Sequence, residues 1–184
     1  YKADYIESLW NIFKTVDDRK LLYKDYKVVP WCPRCGTGLS SHELAQGYKE
    51  VTDTSAYIKF EIRNSKFEKK TSVVAWTTTP WTLLGNVALA INPKHAFVAI
   101  EDKGEMFILE KTAAGRMGLS GREVSAQDLI GLSYEPLFNV PALKSATSHK
   151  IYAADFVTND SGTGVVHTAV MYGEDDYALG AVVG

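Results

Sequence analysis

A series of short β-rich runs places the strongest constraint on the fold of this chain. In the clearest run, Ile58, Phe60 and Ile62 alternate with charged side chains, the period-two pattern of a strand with one buried face. Later runs of the same kind cover residues 72–76, 87–91, 96–100, 106–109, 151–157 and 164–167. A turn sequence at 102–104 predicts a hairpin. We expect a strand-dominated α+β fold, barrel-like, with peripheral helices.

Helices are expected near both ends of the sequence. Apolar residues recur at helical spacing over 6–16, and Asp4 with Glu7 has the spacing of a capping box. A last helix is predicted over 175–183. Between the first helix and the β-rich runs, residues 26–30 predict a short strand that ends at a proline.

Composition excludes several classes of protein. Lys plus Arg number 20 and Asp plus Glu 22, a net charge of −2, and 46% of the 184 residues are hydrophobic. This balance is typical of a folded domain and argues against a disordered chain. No apolar run reaches the roughly 20 residues of a membrane-spanning helix, so no membrane partner is expected. A protein held on RNA by phosphate contacts alone would be more basic, so any contact with RNA should be local.

A threonine cluster is the first group of residues that could carry chemistry. Four threonines lie where a predicted strand ends, between two tryptophans: Thr77, Thr78, Thr79 and Thr82. Hydroxyl groups donate and accept hydrogen bonds, so they can orient a water molecule or a ribose hydroxyl. Pro80 disfavours helical backbone angles at Thr79. The alternative is a purely structural cluster, because threonine is common in strands and turns.

A glycine-rich turn followed by an acidic cluster forms the second group. Gly162 and Gly164 would let the backbone approach a ligand closely, and His167 ends the strand that follows. Carboxylates at 174–176 precede the last predicted helix, where they favour the helix N-terminus. Turned inward, one of them could instead bind a cation such as a substrate ammonium group. A metal hydrolase built on Glu174, Asp175 and Asp176 is less favoured, because adjacent carboxylates point in different directions.

Cys32 and Cys35 are the third group. Two thiols at this spacing provide half of a tetrahedral zinc site, and His42 is near enough in sequence to contribute. A fourth ligand is missing, so zinc is expected only if other residues complete the pair. Two cysteines fit a reducing compartment rather than a disulfide scaffold. No serine or cysteine has the sequence context of a nucleophile, so a hydrolase of this kind would use water.

Taken together, these motifs resemble the editing insertion of isoleucyl-tRNA synthetases. The segments that carry the resemblance are 76–83 with 85–86, 162–167, 173–177, 29–37 and 47–51. Valyl and leucyl relatives typically carry Arg where this chain has Thr79, which favours the isoleucyl family. An editing domain of a valyl or leucyl relative is kept as an alternative.

The resemblance implies a function, which is hydrolysis of valine attached in error to isoleucine tRNA. One missing methylene is worth about 1–3 kcal/mol, a magnitude for which isoleucyl-tRNA synthetase is itself the usual example. A second pocket too small for isoleucine removes the error. The implied partners are the tRNA acceptor end carrying valine and the rest of the synthetase chain, in the cytoplasm. Editing needs no cofactor, whereas ATP and magnesium serve the full-length ligase. A non-catalytic module that docks the acceptor end is the alternative from another class.

The resemblance also assigns roles to single residues. The catalytic residues that it implies are Asp176, Thr77, Thr78 and Thr79. The substrate-binding residues that it implies are Trp81, Thr82, Asn86, His167 and Gly164. Asp176 would hold the α-ammonium group and so place the ester carbonyl against a fixed water. The threonine hydroxyls would orient this water rather than deprotonate it.

Two departures from the family pattern concern the turn before Asp176 and the extent of the chain. Val170 stands where the family usually has proline. The family continues well beyond the acidic motif and supplies a second cysteine pair there, so we expect a truncated editing domain without a complete zinc site. We assign residues 1–46 to the end of the synthetic core with a zinc-ribbon-like linker, and residues 47–184 to the editing domain.

Overall fold

The computed structural model describes residues 2–63 and 69–184. It divides into two compact units, Tyr1–Glu43 and Leu44–Gly184. The division concerns packing alone, so the assignment of residues 1–46 to a synthetic core and of 47–184 to an editing domain stays a prediction.

The first unit begins with the predicted helix, α1 (Ala3–Asp18). The predicted capping box is wrong: Lys2 is the N-cap residue and makes no side-chain cap bond, while Asp4 lies inside the first turn. A carboxylate there still favours the positive end of the helix dipole. Trp10 and Phe13 on this helix are exposed, 69% and 47%, and their rings meet edge to face with centroids 6.4 Å apart.

A small hairpin follows in the first unit, made of β1 (Trp31–Cys32) and β2 (Thr37–Gly38). The strand predicted over 26–30 is wrong, because the described chain is irregular there. Pairing begins only at Trp31, where the turn through Gly36 (φ +68°) brings a partner strand alongside. A short helix, α2 (Ser41–Ala45), comes next.

The described strands of the second unit form two sheets. The strands of the five-stranded sheet are, in spatial order, β3 (Ala56–Glu61), β4 (Thr71–Thr77), β7 (Glu105–Glu110), β6 (Ala96–Asp102) and β8 (Arg122–Ser125). Those of the three-stranded sheet are β10 (Val165–Thr168), β5 (Ala88–Ile91) and β9 (Lys150–Ala153). The remaining elements are α3 (Lys111–Arg116), α4 (Ala126–Leu129), α5 (Glu174–Val183) and two 3₁₀ helices, Pro80–Gly85 and Pro141–Leu143.

Local sequence signals account well for these strands. In β3, Phe60 is fully buried while Lys59 and Glu61 are exposed, which confirms the predicted alternation. The hairpin of β6 and β7 is confirmed, and its turn residues Lys103 and Gly104 both have positive φ. The continuously apolar β5 is buried along its whole length because both of its faces are covered: Leu89 and Ile91 pack into one apolar cluster and Ala90 into another.

One apolar core is shared by the two sheets. It contains Phe60, Val73 and Ile108 from the five-stranded sheet and Leu89, Ile151 and Val165 from the three-stranded sheet. Single bridges, Ile62 to Tyr134 and Ser133 to Lys150, link the sheets along one side. The strand-rich α+β class is confirmed. The barrel-like closure is not confirmed, because the described strands of the second unit form two separate hydrogen-bonded sheets and no closed barrel.

No membrane span is found in the described residues. None of the helices in 2–63 and 69–184 combines the length and the apolar character required to cross a bilayer.

Candidate active site

A cavity of about 290 Å³ opens beside the ends of β4 and β10. Its lining contains the four threonines of the predicted cluster together with two other predicted residues: Thr77, Thr78, Thr79, Thr82, His167 and Asp176. Four residues that the sequence did not single out for this site complete the lining: Trp76, Val166, Ala169 and Tyr172. The tertiary structure therefore brings the threonine cluster, the histidine and one carboxylate of the acidic cluster to a single place.

The threonine loop, residues 77–82, is shaped by its own hydroxyl groups. β4 ends at Thr77, and Pro80 opens the 3₁₀ helix that carries Thr82. The Thr79 N–H donates to Thr77 Oγ1 at 3.0 Å, and the Thr82 hydroxyl donates to the Thr79 carbonyl oxygen at 2.7 Å. These bonds leave the loop as a compact turn with exposed Thr78 and Thr79 at the cavity.

His167 joins the threonine loop to β10. Its Nε2 lies 3.0 Å from Thr82 Oγ1. Since the Thr82 hydroxyl proton is directed at the Thr79 carbonyl, Thr82 Oγ1 accepts and His167 Nε2–H donates. Burial lowers the pKa of His167, so the ring is neutral at pH 7. Its Nδ1 is then an unprotonated acceptor, buried and without a hydrogen-bond partner among the described residues.

Asp176 belongs to the first turn of α5 and lies half-buried at the cavity. Its Oδ1 accepts the Ala169 N–H at 3.1 Å, so the carboxylate ties the helix to the end of β10. Burial, with a smaller effect of the neighbouring Asp175 charge, raises the pKa of Asp176 above its usual range. A cation beside a carboxylate that has lost part of its hydration stabilises the ionised form of the acid.

Gly173 makes this placement of the acid possible. A Cβ at position 173 would lie 2.1 Å from Asp176 Oδ2, a distance that no side chain can occupy. The Asp176 carboxylate therefore folds back over the N-terminus of α5 only because residue 173 is glycine. Glu174 and Asp175 are exposed and do not line the cavity. The described residues contain no group of three or more potential ligands that could hold a metal ion, so the metal hydrolase gains no support.

Three predicted binding residues do not line the cavity. Trp81 lies on the 3₁₀ helix and is 67% exposed. Asn86 is buried and bonded to Tyr134 and to the Ala88 carbonyl. Gly164 has φ +68° and packs so closely that a Cβ there would lie 2.3 Å from Glu110 Cβ. The role of these three residues in substrate binding stays a prediction.

The glycine-rich turn packs closely against side chains from other elements of the chain. A Cβ at Gly162 would lie 2.8 Å from Trp76 Cε3, and the Arg116 guanidinium donates to the Gly162 carbonyl at 3.1 Å. Glu110, which Gly164 contacts, caps α3 by accepting the Ala113 N–H. The close backbone approach that these glycines permit thus fixes the turn that leads into β10 and His167.

Tyr172 is the lining residue that sequence reasoning missed most clearly. It is 64% exposed, and its ring lies on the backbone of Gly85, where a Cβ would be 2.6 Å from Cε2 of the tyrosine. The signal in the sequence was Gly85 itself, directly after the threonine motif. A glycine at that point indicates that another side chain packs against the turn, but not which one.

Cys32 and Cys35 lie on the hairpin of the first unit. The Cys35 N–H donates to Cys32 Sγ at 3.3 Å. This hydrogen bond, together with a second one from the Cys35 thiol, lowers the pKa of Cys32. The same thiol–thiol contact raises the pKa of Cys35. Both are free thiols, and no third ligand accompanies them in residues 2–63 and 69–184. These residues do not fit a complete zinc site.

Comparisons with known proteins agree with the motif resemblance. The model of the family of class I tRNA synthetases (I, L, M and V) matches residues 1–167. The isoleucine–tRNA ligase of Clostridium novyi (strain NT) is 46% identical over 98% of this chain, and that of Bacillus thuringiensis (strain Al Hakam) is 46% identical over 95%. In both cases the chain spans 17% of the length of the curated relative.

The fold is also that of a solved editing domain. The structure of the Plasmodium falciparum cytosolic leucyl-tRNA synthetase editing domain matches with a TM-score of 0.52 and 14% identity, over 67% of this chain and 63% of that one. At that identity the match concerns the fold alone. Because the family model covers nearly the whole chain, and isoleucine–tRNA ligases are 46% identical over nearly all of it, we conclude that the chain belongs to the class I tRNA synthetases (I, L, M and V).

Proposed function

We propose that this chain is an editing domain that hydrolyses the ester bond between valine and isoleucine tRNA. One observation carries the proposal: a half-buried carboxylate, four threonines and a neutral histidine line the same cavity of about 290 Å³. The similarity to isoleucine–tRNA ligases and to the fold of a leucyl editing domain supports it.

Asp176 is the group that binds the amino acid in this proposal. Every aminoacyl ester carries a free α-amino group, which is the cation that an isolated carboxylate can recognise. Oδ1 of Asp176 accepts one bond from Ala169 and retains further lone pairs for an ammonium group. Binding of the ammonium offsets the burial that raises the pKa of the acid.

Water is the nucleophile, and the threonine loop orients it. The oxygen of water adds to the ester carbonyl carbon, the bond from that carbon to the ribose oxygen breaks, and the proton lost by water ends on the ribose oxygen. Exposed hydroxyls of Thr78 and Thr79 can accept from the water and donate to the ribose. The gain in rate comes mainly from orientation, since threonine is too weak a base to remove the proton.

Selection against isoleucine follows from the walls of the cavity. The apolar lining comes from Trp76, Val166, Ala169 and Tyr172, with His167 beside them. Trp76 is held in place by its close packing on Gly162, and His167 by its bond to Thr82. Walls fixed in this way resist an added methylene, because inserting extra volume against a packed wall costs about 1–3 kcal/mol.

The decisive experiment compares two charge-removing variants in the same turn of α5. Asp176→Asn should lower the rate of valyl-tRNA deacylation at least about 100-fold, since it removes the charge that holds the substrate. The matched control is Glu174→Gln, which neutralises an exposed carboxylate outside the cavity and should retain the rate within twofold. Release of radiolabelled valine from isoleucine tRNA measures both, with isoleucyl-tRNA as the substrate that should persist.

Two outcomes would overturn the proposal. Full activity in Asp176→Asn would remove the acid from the mechanism. Binding of the tRNA acceptor end by the wild-type chain without release of valine would indicate a docking module.

A further inference from the structure

Asn86 connects the threonine loop to the interior of the second unit. It is 5% exposed and follows the last residue of the 3₁₀ helix Pro80–Gly85, where its N–H donates to the Leu83 carbonyl at 3.1 Å. Its Nδ2 donates to the Ala88 carbonyl at 2.9 Å. Its Oδ1 accepts from the Tyr134 hydroxyl at 2.6 Å. Asn86 thus holds the end of the 3₁₀ helix with three hydrogen bonds, one from its backbone N–H and two from its side-chain amide.

Tyr134 is the most firmly held partner in this arrangement. Its side chain is fully buried, and its ring meets Phe60 of β3 and His149 edge to face, with centroids 5.1 and 5.7 Å away. Its N–H donates to the His149 carbonyl, and its backbone forms the bridge to Ile62. Burial raises the pKa of the phenol, so the hydroxyl is a neutral donor at any working pH.

The Ala88 carbonyl and the phenol hydroxyl together fix the orientation of the Asn86 amide. The carbonyl can only accept, so the amide nitrogen must lie on the Ala88 side. The amide oxygen then lies on the Tyr134 side, where the phenol hydroxyl is its donor. Without the hydroxyl, a buried acceptor loses its partner, which is costly enough to shift the turn.

A shift at Asn86 would reach the cavity through the short helix. Thr82 lies on that helix, and its hydroxyl joins the Thr79 carbonyl to His167 Nε2. A movement of the helix end therefore changes the hydroxyl geometry of the loop and the wall formed by His167 together. Tyr134 itself does not line the cavity.

We propose that Tyr134 is a positioning residue for deacylation, which acts through Asn86 to hold the 3₁₀ helix and the threonine loop in place. The inference rests on the proposed function and names a residue that it does not use. Because Tyr134 does not line the cavity, we expect it to affect the rate through orientation of the loop rather than through substrate binding.

The test is Tyr134→Phe, which removes the hydroxyl and keeps the ring. The matched control is Tyr152→Phe, because the Tyr152 hydroxyl also donates at 2.6 Å, to the Thr147 carbonyl, but away from this cavity. Rates are measured well below the melting temperature of each variant. We expect kcat for valyl-tRNA deacylation to fall about tenfold in Tyr134→Phe with KM within twofold. In Tyr152→Phe both constants should stay within twofold of the wild type.

A double-mutant cycle separates positioning through Asn86 from a general loss of stability. If Tyr134 acts through Asn86, the combined variant Asn86→Ala with Tyr134→Phe should lose no more kcat than Asn86→Ala alone. Additive losses would overturn the inference. So would a Tyr134→Phe variant that melts at a lower temperature but keeps its kcat.

Amide hydrogen exchange keeps the inference testable if the wild-type chain releases no valine. That result would defeat the proposed function by itself. The positioning of the loop would then be read from the Thr82 and Asn86 amides, which should exchange faster in Tyr134→Phe than in Tyr152→Phe. Equal protection in the two variants would overturn the role of Tyr134.

Discussion

The threonine cavity and the cysteine hairpin are both clusters of chemically capable side chains, but they are assembled in opposite ways. The cavity draws on β4 and on β10 and α5, which follow much later in the sequence. The cysteine pair lies on one hairpin and supplies half of a tetrahedral zinc site, and no third ligand accompanies it in the described chain. Two chemically capable residues close together in the sequence therefore do not suffice for a site, whereas separate motifs that are each weak alone can form one when the fold brings them together.

Among the variants that test the assembled cavity, Gly173→Ala is expected to reduce deacylation most. The added Cβ would lie 2.1 Å from Asp176 Oδ2, so the carboxylate must leave its position. A displacement of about 1 Å at a catalytic group can cost about 100-fold in rate, and we expect a loss of that size in valyl-tRNA deacylation.

Gly115→Ala is the control for the glycine substitution. Gly115 lies in α3, where an added Cβ meets nothing within 4 Å. This variant should keep its activity and gain about 0.4–1 kcal/mol in the free energy of unfolding, measured by denaturant titration. If Gly173→Ala were as active as Gly115→Ala, the carboxylate would not need its present position.

The pH dependence of kcat/KM gives the next largest effect. In the proposed mechanism, ionised Asp176 holds the substrate, and burial raises the pKa of this acid above its ordinary 3.8. The acid-limb pKa of the free enzyme should therefore lie above 3.8, with about a tenfold loss for each pH unit below it. Deacylation rates corrected for spontaneous ester hydrolysis measure the profile, and a midpoint at or below 3.8 would contradict the assignment.

The same raised pKa has a consequence for stability. Since the folded chain binds this proton more tightly than the unfolded chain, the acid costs stability as the pH rises from the unfolded pKa through the folded one. At pH 7 the Asp176→Asn variant should therefore melt no lower than the wild type. A lower melting temperature would mean that the carboxylate stabilises the fold, and the activity loss of that variant would then need another reason.

The smallest effect is expected at the cysteine hairpin. Replacing Cys32 and Cys35 together by serine should change valyl-tRNA deacylation by less than twofold, because neither thiol lines the cavity. Competition with a chromophoric chelator should find no stoichiometric zinc on the wild-type chain, since two ligands do not make a closed tetrahedral site. Tight equimolar zinc binding, or deacylation activity that a chelator removes, would contradict this prediction and would make the cysteine hairpin a metal site.

The predicted elements are confirmed where the feature depends only on residues a few positions apart in the sequence. The alternation in β3 and the turn at Lys103 and Gly104 depend on neighbouring residues alone, and both are confirmed. The predicted strand at 26–30 failed because a strand needs a partner, and the hairpin begins only at Trp31. The capping box failed because the N-cap is Lys2, two residues before the expected Asp4, so that Asp4 lies inside the first turn.

Residue types and motifs in the sequence indicate the chemistry: hydroxyls, a histidine and the carboxylate of Asp176, in motifs that resemble those of isoleucyl-tRNA synthetases. The packing of the chain determines that these side chains line one cavity, and that Tyr172 lines it while Trp81 does not. These arrangements depend on close contacts between distant segments, such as that of Tyr172 with Gly85, which no local pattern encodes. Residue type and spacing indicate which chemistry a side chain can support, whereas packing determines which side chains come into contact.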